Sequence, residues 1–568
     1  MMATPTRNIP LPTGDMSFTS SPHEANHQRH YLPAIEHARL EAALKGRPLP
    51  NVLPHSIEAG KDPYYIGNAY RRLQYNPWHL DTSERPYLDY IRKVMRGWPH
   101  LEYLADWMQI TTSPPKWKHL PKTSRDMRAQ KTCVAIIDFS VEANEKPKTT
   151  FIGTIGELRE LFDDPQFSHA PDHPRLYIME DLSRDMVEEF GSRYDVDPLL
   201  WRGHISDYMW YKTKDPWVEL DELPHLVREK TFYNFRYIHP RYFEDKESHS
   251  RATIEAGKMN VLRSLDSDQY SERLPDSEER VFLCRSKASL WIQPRRNGKN
   301  NTFGILVVDP TFQEGYPLWS GYRNFEETPE LQAINLTGPP RTSLFQDVVY
   351  WASKMGASDL DALAANPRNL ALSILTIIAS EWLTVLQYLR TRLTQLEWML
   401  EIPDFRAPYR LDEVLGRLHP WHRYLPFYRR WVRDVLRSIL HKDDLDMQSQ
   451  HNQALFKLRE DFLVIQEEFE IAQAQLDNMT NLVTAIISLE ENKRMANQNS
   501  NVTRLTYLAV VFVPMSFVTG LFSMTTDVSA LTQTFWIFFI VAIPLSFGAL
   551  AAAQWIYLRE WVKRQWRK

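Results

Sequence analysis

The segment TRLTYLAVVFVPMSFVTGLFSM, Thr503 to Met524, and its neighbour TFWIFFIVAIPLSFGALAAAQWIYL, Thr534 to Leu558, decide how the chain is read. Each exceeds the roughly 20 apolar residues that a helix needs to cross about 30 Å of hydrocarbon. Arg504 is the one charged side chain in either segment, placed at an edge where it can reach the headgroups. Uncharged runs this long read as a transmembrane hairpin rather than as buried core helices. Lys493, Arg494 and Arg504 precede the first span, and Arg559, Lys563, Arg564, Arg567 and Lys568 follow the second. The external loop, 525–533, reads TTDVSALTQ and has no basic residue. The positive-inside rule therefore places both termini in the cytosol. Trp536, Trp555, Trp561 and Trp566 fall where an interfacial aromatic belt is expected.

The remainder is expected to fold in water. A chain of 568 residues has room for more than one domain, and 67 basic against 71 acidic residues give no nucleic-acid signature. Two cysteines, Cys133 and Cys284, cannot build a disulfide framework, which agrees with a reducing compartment. The start, MMATPTRNIPLPTGDM, lacks the apolar core of a secretory signal, so insertion is expected to rest on the C-terminal spans.

Residues 1–130 read as an N-terminal extension whose first 30 or so are disordered and whose aromatic islands, Tyr64 to Trp107, pack on the next domain, with binding of a partner as the lesser alternative. From 131 to 312 short β-rich runs alternate with helical ones, giving an α/β cytosolic domain with a mixed sheet. In RLYIMEDLSRDMVEEFGSRYDVDP a strand ends at Met179, Asp181 or Ser183 caps a helix, and Gly191 closes it. Asp181, Asp185, Asp195 and Asp197 are caps or solvated faces on this reading, with a metal site as the lesser alternative. No HExxH, phosphate-binding glycine loop, GxSxG or CxxC occurs, so the chain is not expected to be an enzyme and no cofactor is expected.

Residues 343–443 read as helical and cytosolic. Asn369 to Leu389 is apolar, but Glu381 interrupts it, which suits a buried core helix better than a third span. Pro-rich breaks are expected at EIPDFRAPYR and at HPWHRYLP, where His419 and His422 sit in a turn. From 444 to 502 a stalk helix follows. Leu455, Leu458, Phe462, Ile465, Phe469, Ala472, Leu476, Met479, Val483 and Ile486 alternate at three and four residues, as a helix packed on others requires. No Gly or Pro interrupts it before Pro514, so stalk and first span read as one helix of about 80 residues, on the order of 120 Å long.

On a second stripe of that helix stand Asn499, Val502, Thr506, Ala509, Val513, Ser516, Gly520 and Ser523. Small and polar residues in lipid must face other helices or a water-filled path. One hairpin cannot enclose a path, whereas a ring of identical first spans can, so the stripe reads as pore-lining and the chain as a homo-oligomer.

The run VFVPMSFVTGLFSM, after so long a helix and before a second C-terminal span, resembles the CorA superfamily of divalent-cation channels. LYIMEDLSRDMVEEFGSRYDVDP is similar to the fungal CorA-like subgroup. Pro514, Phe517, Gly520 and Met524 agree with the family's first-span pattern. Where that pattern ends in Gly-Met-Asn, this chain reads Ser523, Met524, Thr525. The resemblance implies a homopentamer with first spans lining the pore, second spans outside, and a cytosolic funnel of α/β domain and stalk. It also implies that a divalent cation, Mg²⁺ or a related ion, is carried and regulates closure. Thr525 offers a shorter acceptor than Asn, Ser523 replaces a glycine, and Asp527 is the external loop's one acid.

These readings give potential-driven passage of a divalent metal cation as the expected function. The alternative is a membrane-anchored CorA-like scaffold that has lost transport. The expected partners are further copies of the chain, the lipid bilayer and divalent cations. The plasma membrane is the expected location, with the vacuole or another internal membrane as the other choice.

Overall fold

The computed structural model describes residues 84–95, 97–110, 122–139, 147–164, 167, 173–206, 222–261, 263, 265–267, 280–293, 303–331, 338–401, 408–445, 449–524, 536–551 and 555. The first 83 residues, the external loop with Thr525 and Asp527, and the basic tail 559–568 lie outside this set. The chain divides into two units, Met1–Thr391 with Pro420–Gln473, and Arg392–His419 with Ala474–Lys568.

The larger unit is built on an eight-stranded mixed sheet in the order β2-β1-β3-β7-β6-β4-β8, with β5 paired to β6. The strands are β1 Val134–Asp138, β2 Lys148–Ile152, β3 Arg175–Glu180, β4 Phe232–Phe243, β5 Leu265–Ser267, β6 Arg280–Ile292, β7 Phe303–Val308 and β8 Tyr316–Pro317. Among the described residues only β3 and β7 pair in parallel, with Ile178 opposite Leu306, and the other ladders are antiparallel. The central strands β1 and β7 read VAIID and FGILVV and are buried on both faces, as apolar runs without alternation require.

Helices cover one face of the sheet. They are α1 Pro86–Val94, α2 Glu102–Ile110, α3 Lys122–Gln130, α4 Ile155–Asp163, α5 Arg184–Tyr194 and α6 Pro198–Ile205. Tyr87, Leu88, Leu104, Trp107, Val187, Phe190 and Trp201 from α1, α2, α5 and α6 share a core with Val134, Ile136, Tyr177, Met179, Ile305 and Val307 of the sheet. Local chemistry sets the helix starts: Thr154 and Glu157 form a reciprocal capping box on α4, and Ser183 Oγ accepts from Met186 N on α5. Gly191 does not close α5 as its sequence suggests. The helix continues to Tyr194, and Asp195 caps it in the left-handed conformation, φ 53°. Glycine is needed at 191 because the Tyr87 ring occupies the space of a Cβ.

After α7 Pro224–Glu229, α8 Lys246–Lys258 covers a smaller core of Phe243, Ala252, Phe282, Cys284 and Phe312. Then come α9 Leu344–Ala352, α10 Ala357–Ala365, and the long α11 Leu372–Glu401, α12 Pro408–Arg437 and α13 Gln453–Phe522. Helix α9 lies against β1 and β3, and Leu370 packs so closely on Gly304 of β7 that a Cβ there would push its side chain aside. Within the larger unit the faces of α11, α12 and α13 meet through aromatic rings, Trp382 on Tyr428 at 5.4 Å and on Phe469 at 5.5 Å.

The expected break at HPWHRYLP is absent. Pro420 and Pro426 both lie inside α12, and His419 and His422 are helical rather than in a turn. Each proline removes a backbone donor. Trp421, Tyr424, Leu425 and Tyr428, all buried on this stretch, hold the helix through the two gaps. The other expected break, at EIPDFRAPYR, falls on 402–407, outside the described residues, between α11 and α12.

The segment Pro367–Glu401 has the length and apolarity of a span, with mean hydropathy 1.6, yet 78% of its most apolar window is buried in the protein. The corresponding window of the helix through Gln450–Leu521 is only 6% buried. The latter, with the shorter apolar helix α14 Trp536–Ala551, has the surface of a lipid-facing pair.

Candidate functional site

Helix α13 forms because 70 residues pass with Pro514 as the one proline and Gly520 as the one glycine. Its buried stripe, Leu455, Leu458, Phe462, Ile465, Phe469 and Ala472 in the larger unit, then Leu476, Met479 and Val483, matches the heptad reading. Ile486 is half-buried.

In the smaller unit α13 and α14 lie side by side. Ser546 Oγ donates to the Val511 carbonyl at 3.4 Å, Val518 is 4% exposed and Ala542 is fully buried. Small residues on α14 permit this approach, as they do between helices in lipid. Every member of the candidate stripe, Asn499, Val502, Thr506, Ala509, Val513, Ser516, Gly520 and Ser523, is exposed in the chain. At 100° per residue all of them lie roughly 120° to 180° around the helix from Val511. The stripe therefore points away from the face that meets α14. Thr506 Oγ1 donates to the Val502 carbonyl at 2.8 Å, leaving an oxygen lone pair directed outward. Gly520 has open space where a Cβ would stand. Of the motif residues, Ser523 and Met524 follow the end of the helix as an exposed turn.

The acidic residues of the α/β unit have structural duties. Asp181, at φ 57°, pairs with Lys131 at 2.5 Å and accepts from Asn260 N at 2.9 Å. Asp185 pairs with Arg85 at 2.7 Å, Asp195 caps α5, and Asp197 caps α6 through Leu199 N. Among the described residues no group of three His, Cys, Asp or Glu side chains is placed to hold a metal ion.

Two buried networks had no signal in sequence. In one, Arg323 bridges Glu381 of α11 at 2.9 Å and Asp347 of α9 at 3.1 Å, and His239 Nδ1 stands 2.9 Å from Glu381. Burial pushes the Glu381 carboxyl up, but His239 and Arg323 outweigh it and hold it at about 2. In the other, His204 Nδ1 lies 2.9 Å from Ser289 Oγ, and Nε2 lies 3.3 Å from Asp309 without hydrogen-bond alignment. Arg263 Nη2 donates to Asp309 at 2.9 Å, and Lys287 Nζ donates to the Gly203 carbonyl at 2.6 Å. Ser289, His204 and Asp309 have the residue types of a hydrolytic triad. All three are at most 3% exposed, so no substrate reaches them and the set works as a strut between α6, β6 and β7.

Residues 352–564 match the model of the family described as CorA-like Mg²⁺ transporter protein. The matched stretch contains Pro514, Phe517, Gly520 and Met524. No curated protein matches the chain. Among solved structures it is similar to the complete CorA magnesium transporter from Methanocaldococcus jannaschii, at 13% identity and TM-score 0.32, over 73% of this chain and 96% of that one. The soluble domain of CorA from the same organism aligns at 12% identity and TM-score 0.29, over 62% and 97% of the two chains. The full-length CmaX protein aligns at 12% identity and TM-score 0.34, over 76% and 98%.

Proposed function

We propose that the chain is one subunit of a passive divalent-cation channel. Identical first spans, five by the family resemblance, close a ring with the Asn499–Ser523 stripe toward the path, and the second spans lie outside. The observation that carries this reading is the free stripe on α13, turned from the face that meets α14. A face bearing Thr506, Ser516 and Ser523 at membrane depth needs a protein or water partner.

In this reading Asn499, Thr506 and Ser516 offer oxygens along the path, and Val502 and Val513 form apolar constrictions that gate by dewetting. An inside-negative potential supplies about 4.6 kcal/mol per divalent ion per 100 mV, so no nucleotide is needed. The family's printed description makes Mg²⁺ the first ion to test. Mg²⁺ sheds water reluctantly, so Ser523, Met524 and Thr525 act on a hydrated ion through outer-shell oxygens. Both termini are cytosolic, the membrane is the plasma membrane, and a cytosolic divalent ion sets closure.

The test is flux into liposomes from the purified full chain, with dyes for Mg²⁺, Co²⁺, Ni²⁺ and Zn²⁺. Uptake of one of these that depends on the imposed potential is the expected result. Absence of flux for all four sinks the channel reading and leaves the membrane-anchored scaffold, which Ser523 in place of the family's glycine favours.

A further inference from the structure

An open cavity of about 460 Å³ lies in the larger unit, where α1, the α5–α6 junction and the end of β6 meet. Tyr90, Trp98, Tyr194 and Trp291 contribute aromatic surface, and Asp195 and Asp197 contribute carboxylates. Among the described residues no Lys, Arg or His lines it. Trp291 is 2% exposed, whereas Tyr90 is 43% and Trp98 56% exposed, so two of the rings stand open to solvent. Lys230 and His100 act on Asp197 from outside the lining, and Arg193 and Arg175 act on Tyr194. Lys230 is held by Glu222 and stacks over Phe232 at 4.7 Å.

From this arrangement we infer a binding site for a small organic cation, an alkylated ammonium with an apolar body. The volume falls in the range of small-molecule sites, about 300 to 1,000 Å³. Aromatic faces attract a cation through their quadrupoles, and carboxylates add charge attraction while repelling anions. A primary ammonium needs several acceptors to replace its water. Aromatic walls provide few, which favours an alkylated nitrogen that carries less hydration. The site is independent of the membrane helices, and its occupancy is read without flux, so it stands or falls separately from the channel reading.

The experiment titrates benzyltrimethylammonium into the full chain in nanodiscs made without choline lipids, reading heat and tryptophan fluorescence. Benzyl alcohol and benzoate serve as neutral and anionic arms. Binding at about 1 mM or tighter is expected, with about tenfold weakening by Trp98→Ala and by Asp195→Asn and none detectable for benzoate. Trp98 is largely exposed, and Asn tolerates the left-handed backbone at 195, so both variants should fold. If Trp98→Ala lowers the melting temperature, Asp195→Asn alone decides. Undetectable binding at about 10 mM, equal binding of benzyl alcohol, or affinity unchanged in Asp195→Asn overturns the assignment.

Discussion

Tyr87 lies so close to Gly191 that a Cβ added to the glycine would fall 2.5 Å from the ring's Cε1. The ring is fixed at its far end, where its hydroxyl donates to the Val196 carbonyl at 2.6 Å and accepts from Trp201 Nε1 at 3.1 Å. Backbone amides of Tyr87 and Leu88 donate to the Glu188 carboxylate, at 2.7 and 3.1 Å. The ring cannot retreat, so α1 is keyed to α5 at this point. Gly191→Ala should destabilise the unit by about 1 to 3 kcal/mol, although alanine is the better helix former. Urea unfolding of the full chain measures it. A neutral or stabilised variant would show that Tyr87 can move.

That contact also marks where sequence reading stops. Apolar runs such as Ala135 to Ile137 and Ile305 to Val308 disclosed their strands, and the heptads from Leu455 disclosed α13, because burial on whole faces leaves a periodic trace. Strand β4, FYNFRYIHPRYF, left none. Its Arg, His and Pro residues read as polar, yet Arg236, His239 and Arg241 sit in a twelve-residue strand paired along its length with β6. The same holds for Pro420 and Pro426, where aromatic packing overrides the local signal. The stripe on the first span rests on residue size and polarity, and its pore role is a proposal, whereas the aromatic cavity joins residues from Tyr90 to Gln293 and has no local pattern.

His204 makes the α/β unit sensitive to mild acid. Burial, opposed by Asp309 and aided by Arg263 and Lys287, lowers its pKa from 6.5 to about 4. Between those values unfolded His204 takes a proton that the folded residue refuses. Stability is therefore fully present above pH 6.5 and is lost as pH falls toward 4, by on the order of 3 kcal/mol. Denaturant midpoints measured across this window should fall with pH, and His204→Gln should flatten the slope. An unchanged slope in the variant would assign the acid sensitivity elsewhere.

Arg323 joins two buried carboxylates and is itself 6% exposed. Arg323→Met leaves Glu381 and Asp347 facing each other's charge in the interior, and should cost about 3 to 5 kcal/mol. The Glu381 pKa, about 2 when folded, lies below the ordinary 4.5, so its contribution is present above 4.5 and is lost as pH falls toward 2. Removing the guanidinium raises that carboxyl, so acid unfolding of the variant should begin at higher pH. Circular dichroism during acid titration reads the shift. A variant that unfolds at the wild-type pH would mean that His239 alone sets the Glu381 charge.

Val513 is 65% exposed on the face of α13 turned away from α14. If copies of this face surround a path, an apolar ring at Val513 excludes water when narrow, and a carboxylate there both wets the constriction and attracts cations. Val513→Asp should raise divalent-cation flux in liposomes several-fold and weaken its dependence on whatever closes the pore. Val513→Thr, polar but uncharged, should lie between it and the parent. Phe547 of α14 is 70% exposed and, in the proposed ring, faces lipid. Phe547→Leu should leave flux unchanged. Equal effects of Val513→Asp and Phe547→Leu would reject the pore face and move the path, if one exists, to another side of the helix.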